Sequence, residues 1–212
     1  MNNSTIIAPI FAVSRLRMNT DGAGITTLVA FMGCPLKCQY CLNPQCHGPI
    51  SEGDGIMMLT PQGLYDLVKI DNIYFQATGG GVCFGGGEPT MYANFIKEFR
   101  QVCGDKWKIT LETSLACSYN DIEILRDIVD HWIVDIKSMD SVIYEMYTGQ
   151  VSGVSQRLSS LQMLVPNEKV TIKVPTIPDF NEKRDMDDDV EMIKQRFGFS
   201  DVVKTTYKVI HR

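Results

Sequence analysis

Six short runs of bulky, mostly β-branched residues recur along the chain with almost no polar alternation: 27–33 (TLVAFMG), 81–85 (GVCFG), 108–113 (KITLET), 132–137 (WIVDIK), 169–175 (KVTIKVP) and 203–210 (VKTTYKVI). Runs of this kind mark parallel strands buried on both faces, whereas a strand with one wet face alternates. Between them the apolar spacing lengthens to that of helices. Thr60 before Pro61 predicts an N-cap with proline in the first turn, opening PQGLYDLVKI. The stretch 88–103 carries Phe95, Ile96 and Phe99 at helical spacing, and Asn120 or Asp121 can cap DIEILRDIVD. The stretch 184–197 carries Met186, Val190, Ile193 and Phe197. The acids at its head (Asp185, Asp187, Asp188, Asp189 and Glu191) read as a solvated first turn favoured by the helix dipole rather than as a metal site.

Strand and helix alternate without an internal repeat, low-complexity tract or long linker. The prediction is an α/β fold in one domain over residues 1–212, an open, partial (β/α)6 barrel of parallel strands. In such folds the active site lies at the C-terminal ends of the strands.

Composition narrows the function. Hydrophobic residues make up 44% of the 212, enough for a single core. Twenty basic residues against 25 acidic ones, a net charge of -5, leave no basic footprint for nucleic acid. No apolar run approaches the roughly 20 residues that span a bilayer, so no membrane association is expected. The start, MNNSTIIAPIFAVSR, lacks the parts of a secretory signal, and the expected location is cytoplasmic. Seven cysteines are too few and uneven for a disulfide scaffold; in a reducing compartment a tight group of them is a metal or cluster site.

That group is GCPLKCQYC, with Cys34, Cys38 and Cys41 in C-x3-C-x2-C spacing directly after the first strand run. A [4Fe-4S] cluster ordinarily takes four thiolates, so three leave one iron open to a ligand. The alternative on spacing alone is a zinc or electron-transfer site that borrows a distant fourth cysteine from Cys46, Cys83, Cys103 or Cys117.

The wider string DGAGITTLVAFMGCPLKCQYCLNP is followed by TGGGVCFGGGEPT and then by LETS, VDIK and IPDFN. Together they resemble the glycyl-radical-enzyme activases of the radical S-adenosylmethionine (SAM) superfamily, of the type that activates pyruvate formate-lyase, from about Phe11 to the C-terminus. The resemblance implies that Cys34, Cys38 and Cys41 hold a [4Fe-4S] cluster whose open iron chelates the amino and carboxylate groups of SAM. Gly86, Gly87 and Glu88 would receive the amino group, since glycines admit close backbone approach and a carboxylate complements an ammonium. By the same resemblance Tyr40 packs near the adenine, Asn43 completes a C-x-N motif, and Asp135 and Lys137 touch the ribose and the methionine carboxylate. Lys173 serves that carboxylate where the family carries arginine, Glu112 and Thr113 help bind a monovalent cation, and His211 lies near the nucleoside.

Departures from the family pattern are Ala23 and Thr26 for proline and arginine, Leu115 for glycine and Gly85 for serine. They are expected around the side where a substrate loop enters, and so to bear on substrate more than on cofactor. The segment CLNPQCHGPISEGDGIMM is short and holds only Cys46, which implies one cluster; Cys46, beside His47, is read as a non-ligand. Cys83, Cys103 and Cys117 read as small apolar residues on strands and helices.

The implied activity is that of a radical SAM oxidoreductase working anaerobically. A flavodoxin- or ferredoxin-type donor reduces the cluster, SAM is cleaved to methionine and a 5'-deoxyadenosyl radical, and that radical takes hydrogen from a backbone glycine of a partner glycyl-radical enzyme. A chain ending near its sixth strand leaves the barrel open at the side for such a loop. The competing readings are a radical SAM enzyme acting on a ribosomal peptide or small molecule, and a non-catalytic iron-sulfur or zinc-binding protein.

Overall fold

The six apolar runs form six parallel strands, and an antiparallel pair that the residue pattern did not announce joins them. The computed structural model describes residues 6–18, 20–50 and 55–207. Its strands are β1 (Ala8–Met18), β2 (Ile25–Phe31), β3 (Met57–Leu59), β4 (Gly81–Gly86), β5 (Lys108–Thr113), β6 (His131–Asp135), β7 (Val170–Thr176) and β8 (Asp201–Thr206). They make one sheet in the order β3-β1-β2-β4-β5-β6-β7-β8, parallel from β2 through β8 and antiparallel at β1 and β3. The sheet does not close, with β3 and β8 at its edges, which is the open partial barrel expected. The last strand begins earlier than the predicted run, at Asp201, and residues 208–210 of that run lie outside the described residues.

The helices are α1 (Pro61–Val68), α2 (Asn72–Thr78), α3 (Ala93–Cys103), α4 (Tyr119–Leu125), α5 (Ser141–Thr148), α6 (Val154–Leu164) and α7 (Met186–Phe197). Thr60 caps α1 as expected, its hydroxyl accepting from the Gly63 amide. Elsewhere local chemistry moved the boundaries. Pro89–Tyr92 forms a tight 3-10 turn, so α3 starts at Ala93 rather than near residue 88. The cap of α4 is Ser118, not Asn120 or Asp121: its hydroxyl accepts from the Asp121 amide while the Asp121 carboxylate takes the Ser118 amide. Asp185 caps α7, and the acidic first turn is solvated except at Asp189, which is buried and bonded by Arg184.

The sheet's interior explains why its strands read as unbroken apolar runs. Five of the six residues of β4 are buried. Phe31, Phe84, Phe99 and Trp107 pass ring contacts outward from β2, at centroid separations of 5.4 Å, 5.4 Å and 6.4 Å. The hairpin is tied on by a buried charge: Asp71, fully buried, accepts from Arg15 on β1 and from the Thr27 hydroxyl on β2 at 2.8 Å. Among the described residues no helix is long and apolar enough to cross a membrane.

Candidate functional site

A cleft of about 490 Å³ opens at the C-terminal ends of the parallel strands, where parallel α/β folds place their sites. Its wall brings together Cys34, Cys38 and Cys41 from the loop after β2, Tyr40 and Asn43 beside them, Gly86 and Gly87 from the end of β4, Glu112 and Thr113 from β5, Asp135 from the end of β6 and Lys137 just after it. Residues spread over a hundred positions of sequence thus share one cavity.

The cysteine loop is pinned at both ends. The Gly33 amide donates to the Cys46 carbonyl at 2.8 Å, while the Lys37 and Gln39 amides donate to Thr148 and Tyr147 at the end of α5 at 2.8 and 3.1 Å. All three cleft cysteines are half-buried and free. Burial pushes the Cys34 thiol up to about 12 and raises Cys38 as well. Cys41 is pulled down instead, chiefly by the hydrogen bond from the buried Cys46 thiol and also by His47. The donor atoms of Cys41, Cys46 and His47 lie within 4.8 Å of one another, so Cys46 is closer to the cysteine group than its place in sequence indicated. The thiols of Cys34 and Cys38, which burial keeps protonated, ionise when a metal's positive charge lies beside them, and this couples metal binding to proton release.

Glu88 stands apart from the expectation. It is fully buried, does not line the cleft, and its carboxylate is taken up by protein donors. One oxygen accepts from the Thr90 amide at 3.2 Å, the Thr90 hydroxyl at 2.7 Å and the Thr113 hydroxyl at 2.6 Å. The other accepts from the Ser114 amide at 3.0 Å and the Ser114 hydroxyl at 2.7 Å. Glu88 therefore staples the end of β4 to the end of β5. The glycines before it also answer to the protein: a Cβ on Gly86 would sit 2.6 Å from that of Ala30, and one on Gly87 would sit 2.0 Å from the Gly33 carbonyl oxygen. Gly86 lets β4 close against β2 and Gly87 lets the chain close against the start of the cysteine loop, and the Asn43 amide group secures the same corner by donating to the Gly86 carbonyl at 3.2 Å.

Asp135 and Lys137 pair as neighbours on one strand end, with Lys137 Nζ 3.0 Å from Asp135 Oδ2. Burial alone would lower the Lys137 ammonium, but Asp135 and Tyr207 hold it well above the ordinary lysine value. The other carboxylate oxygen, Asp135 Oδ1, is buried with no hydrogen-bond partner among the described residues. That orphan acceptor, beside an ammonium and three thiols in a cleft of ligand size, fits a ligand carrying hydroxyl or ammonium donors and a carboxylate. Lys173 is placed differently from the expectation: it is not on the cleft wall, and its ammonium lies 2.8 Å from Glu112 Oε1. Glu112 thus already holds a cation, and the Thr113 hydroxyl is committed to Glu88. Tyr40 lines the cleft with its hydroxyl donating to Asp179 at 2.5 Å, its ring against Phe180 and Tyr147. His211 lies outside the described residues.

The departures from the family pattern do not sit together. Thr26 is buried near the start of β2, where its hydroxyl donates to Asp21 at 3.5 Å, and Ala23 lies in the loop before it. Both are at the opposite end of β2 from the cysteine loop. Leu115, just past β5, is on the cleft end and buried. Cys83 lies on β4 and Cys103 ends α3, as expected; Cys117 is in the loop before α4 instead. Residue patterns missed Ser114, Tyr147 and Tyr207, all on the cleft wall. Only Ser114, inside LETS, had a signal that could have found it.

The family model described as the radical SAM superfamily matches residues 28–193. The pyruvate formate-lyase-activating enzyme of Clostridium pasteurianum is 31% identical over 166 residues, covering 76% of this chain and 67% of its own length. The (2S)-3-sulfopropanediol dehydratase activating enzyme of Klebsiella oxytoca is 24% identical over 231 residues, covering 82% of this chain and 72% of its own. Among solved structures, QueE from Escherichia coli superposes with a TM-score of 0.59 at 14% identity, over 94% of this chain and 83% of that one, a likeness of fold.

Proposed function

The chain belongs to the radical SAM superfamily, and from that premise we propose that it is the activase of a glycyl-radical enzyme. It would use a [4Fe-4S] cluster on Cys34, Cys38 and Cys41, with SAM in the adjoining cleft. The observation carrying this reading is the shared wall: three free cysteines line the same cavity as Lys137 and Asp135, and one carboxylate oxygen of Asp135 is buried without a hydrogen-bond partner among the described residues. When bound, a cluster reduced by one electron supplies the cleavage of SAM to methionine and a 5'-deoxyadenosyl radical, which removes hydrogen from the substrate glycine.

The chain's own residues bind and orient. Three thiolates leave one iron position open for the amino acid part of SAM. Lys137 neutralises the methionine carboxylate, backbone at Gly86 and Gly87 meets the amino group, and Asp135 Oδ1 accepts from the ribose. The Tyr40 ring flanks the adenine, while Leu36 and Tyr147 give the cleft an apolar wall that excludes water. At Glu112, where the family resemblance implies a monovalent cation, the Lys173 ammonium provides positive charge from within the chain. The electron comes from a flavodoxin- or ferredoxin-type protein, and the hydrogen donor is a glycine of a folded partner. Misplacing that glycine by about 1 Å would cost on the order of a hundredfold in rate.

The test is anaerobic incubation of the reconstituted protein with SAM, dithionite and a glycyl-radical enzyme encoded beside it. The expected result is a stable protein radical with a glycyl EPR doublet. A partner that stays radical-free, while a short ribosomal peptide acquires a new crosslink, would replace this reading with peptide modification.

A further inference from the structure

Tyr207 follows β8 directly and extends the β7–β8 ladder by one bond, its amide donating to the Thr176 carbonyl at 2.9 Å. Its side chain reaches past β7 to the end of β6. There Lys137 Nζ donates to the phenol oxygen at 2.8 Å, and the phenol hydroxyl donates in turn to Asp135 Oδ2. Asp135 Oδ2 also accepts from Lys137 directly, at 3.0 Å, so the three groups form a closed ring of hydrogen bonds. The Lys137 ammonium additionally lies 5.3 Å from the centre of the Tyr207 ring. The phenol is half-buried, and desolvation first, then Asp135, holds it well above the ordinary tyrosine value, so it remains a donor.

This ring has a directional consequence. Both protein donors converge on Oδ2, which fixes the carboxylate plane and leaves Oδ1 buried without a protein donor among the described residues. Left empty, such an oxygen costs about 1–3 kcal/mol, so the arrangement is one that a bound ligand completes. The backbone of Lys137 adds to the impression of a built feature, since it is held at φ 64, a left-handed conformation that persists in a lysine only where its surroundings impose it.

We propose that Tyr207 is a positioning residue for the nucleoside cofactor: its phenol holds Asp135 and Lys137 so that Asp135 Oδ1 meets the ribose hydroxyls. This rests on the reading that SAM occupies the cleft. Tyr207→Phe keeps the ring and its packing on Tyr147 but removes the hydroxyl that bridges the pair. The expected effect is about a tenfold loss of SAM affinity, the size of one hydrogen bond to a charged group. Iron content should stay at the wild-type value.

Affinity is read by anaerobic equilibrium dialysis of the cluster-loaded chain against SAM, and separately against 5'-deoxyadenosine and methionine. The proposal expects the loss with SAM and 5'-deoxyadenosine. In a double-mutant cycle, Tyr207→Phe should change affinity less than twofold once Asp135→Ala is present, because the phenol acts through that carboxylate. If wild type binds SAM and Tyr207→Phe binds it within twofold, the proposal fails and the cofactor reading stands. If the loss is confined to methionine, or is undiminished in the Asp135→Ala background, Tyr207 is not acting through Asp135 on the ribose and the proposal is overturned. A wild type that binds no SAM overturns the cofactor reading itself.

Discussion

Glu88→Gln separates two accounts of the same carboxylate. If Glu88 receives the ammonium of SAM, the substitution removes a ligand contact and leaves the fold intact. The structure places it instead under five protein donors at 2.6–3.2 Å, fully buried. Glutamine is the same size but exchanges one oxygen for an NH2. Whichever way the amide turns, its NH2 faces a backbone amide, that of Ser114 or of Thr90, donor against donor, and the neighbouring hydroxyls must turn to accept. Hydrogen bonds to a charged group contribute about 1.5–3 kcal/mol, and a buried donor left without an acceptor costs about 1–3 kcal/mol, so the expected loss is about 3 kcal/mol. In a chain of this length that lowers the Tm by about 6–12 °C. Thermal unfolding followed by circular dichroism on cluster-free wild type and Glu88→Gln measures this without any cofactor. Parallel dialysis should find SAM affinity within a few-fold of wild type in the cluster-loaded variant below its Tm. An unchanged Tm together with abolished SAM binding would refute the staple and restore Glu88 to the ligand.

Alanine at Cys34, Cys38 or Cys41 should drop the iron content from about four per chain to near zero after anaerobic reconstitution; Cys103→Ala should keep its iron, and losing it from a normally folded chain would contradict a three-ligand cluster. Gly87→Ala should lower the urea midpoint markedly, because its Cβ would lie 2.0 Å from the Gly33 carbonyl oxygen and the cysteine loop would have to shift; an unchanged midpoint would mean that the corner yields freely. Burial alone would raise the Asp130 carboxyl, but the Ile109 amide with Arg100 and Lys108 more than reverses this and holds it below 3.8. A carboxyl lowered in the folded state adds stability that is complete above its unfolded pKa and is lost as pH falls through the folded one, so wild type should exceed Asp130→Asn in stability at pH 6 and the gap should shrink below about pH 4. A gap that stays constant down to pH 2 would rule that contribution out.

The parallel strands were legible because both of their faces are buried, which turns each into an uninterrupted apolar run. The antiparallel strands were not. Along β1 the burial drifts from buried Ala8, Pro9 and Ile10 to exposed Ser14, Arg15 and Leu16, and β3 has only three residues, so neither shows a period. Helix α5 hid for another reason: it buries Tyr144 and Tyr147 yet exposes Val142 and Met146, and apolar residues on both faces cancel the helical pattern. In the site, the cysteines were readable because their spacing is local, and Asp135 and Lys137 because they share one short motif. Tyr207 shares a hydrogen-bonded ring with Lys137 across 70 positions of sequence, and no local pattern encodes that. Glu88 was visible as a carboxylate after two glycines, but charge alone cannot tell a ligand's ammonium from a set of protein amides and hydroxyls.

The strand ends share a backbone device that links the readable and unreadable parts of the site. A residue in the left-handed region follows or ends each of five parallel strands: Gly33 (φ 83) after β2, Gly86 (φ 89) at the end of β4, Leu115 (φ 54) after β5, Lys137 (φ 64) after β6 and Asp179 (φ 66) after β7. Each turns the chain sharply as it leaves the sheet, at the mouth where the cleft lies. Two are glycines, for which the conformation is free of strain. The other three bear about 1–2 kcal/mol apiece, somewhat less for aspartate, and each has a compensating contact. Leu115 is buried, Lys137 joins Asp135 and Tyr207, and Asp179 accepts from the Tyr40 hydroxyl. At position 115, where the resemblance implies a glycine, the backbone takes a left-handed φ that glycine adopts without strain. Leucine keeps the same bend and offsets its strain by filling the core beneath it. The bends after β6 and β7 are strained in the same way, but there the compensating contacts are made by Lys137, Asp135 and Tyr40, side chains of the cleft itself.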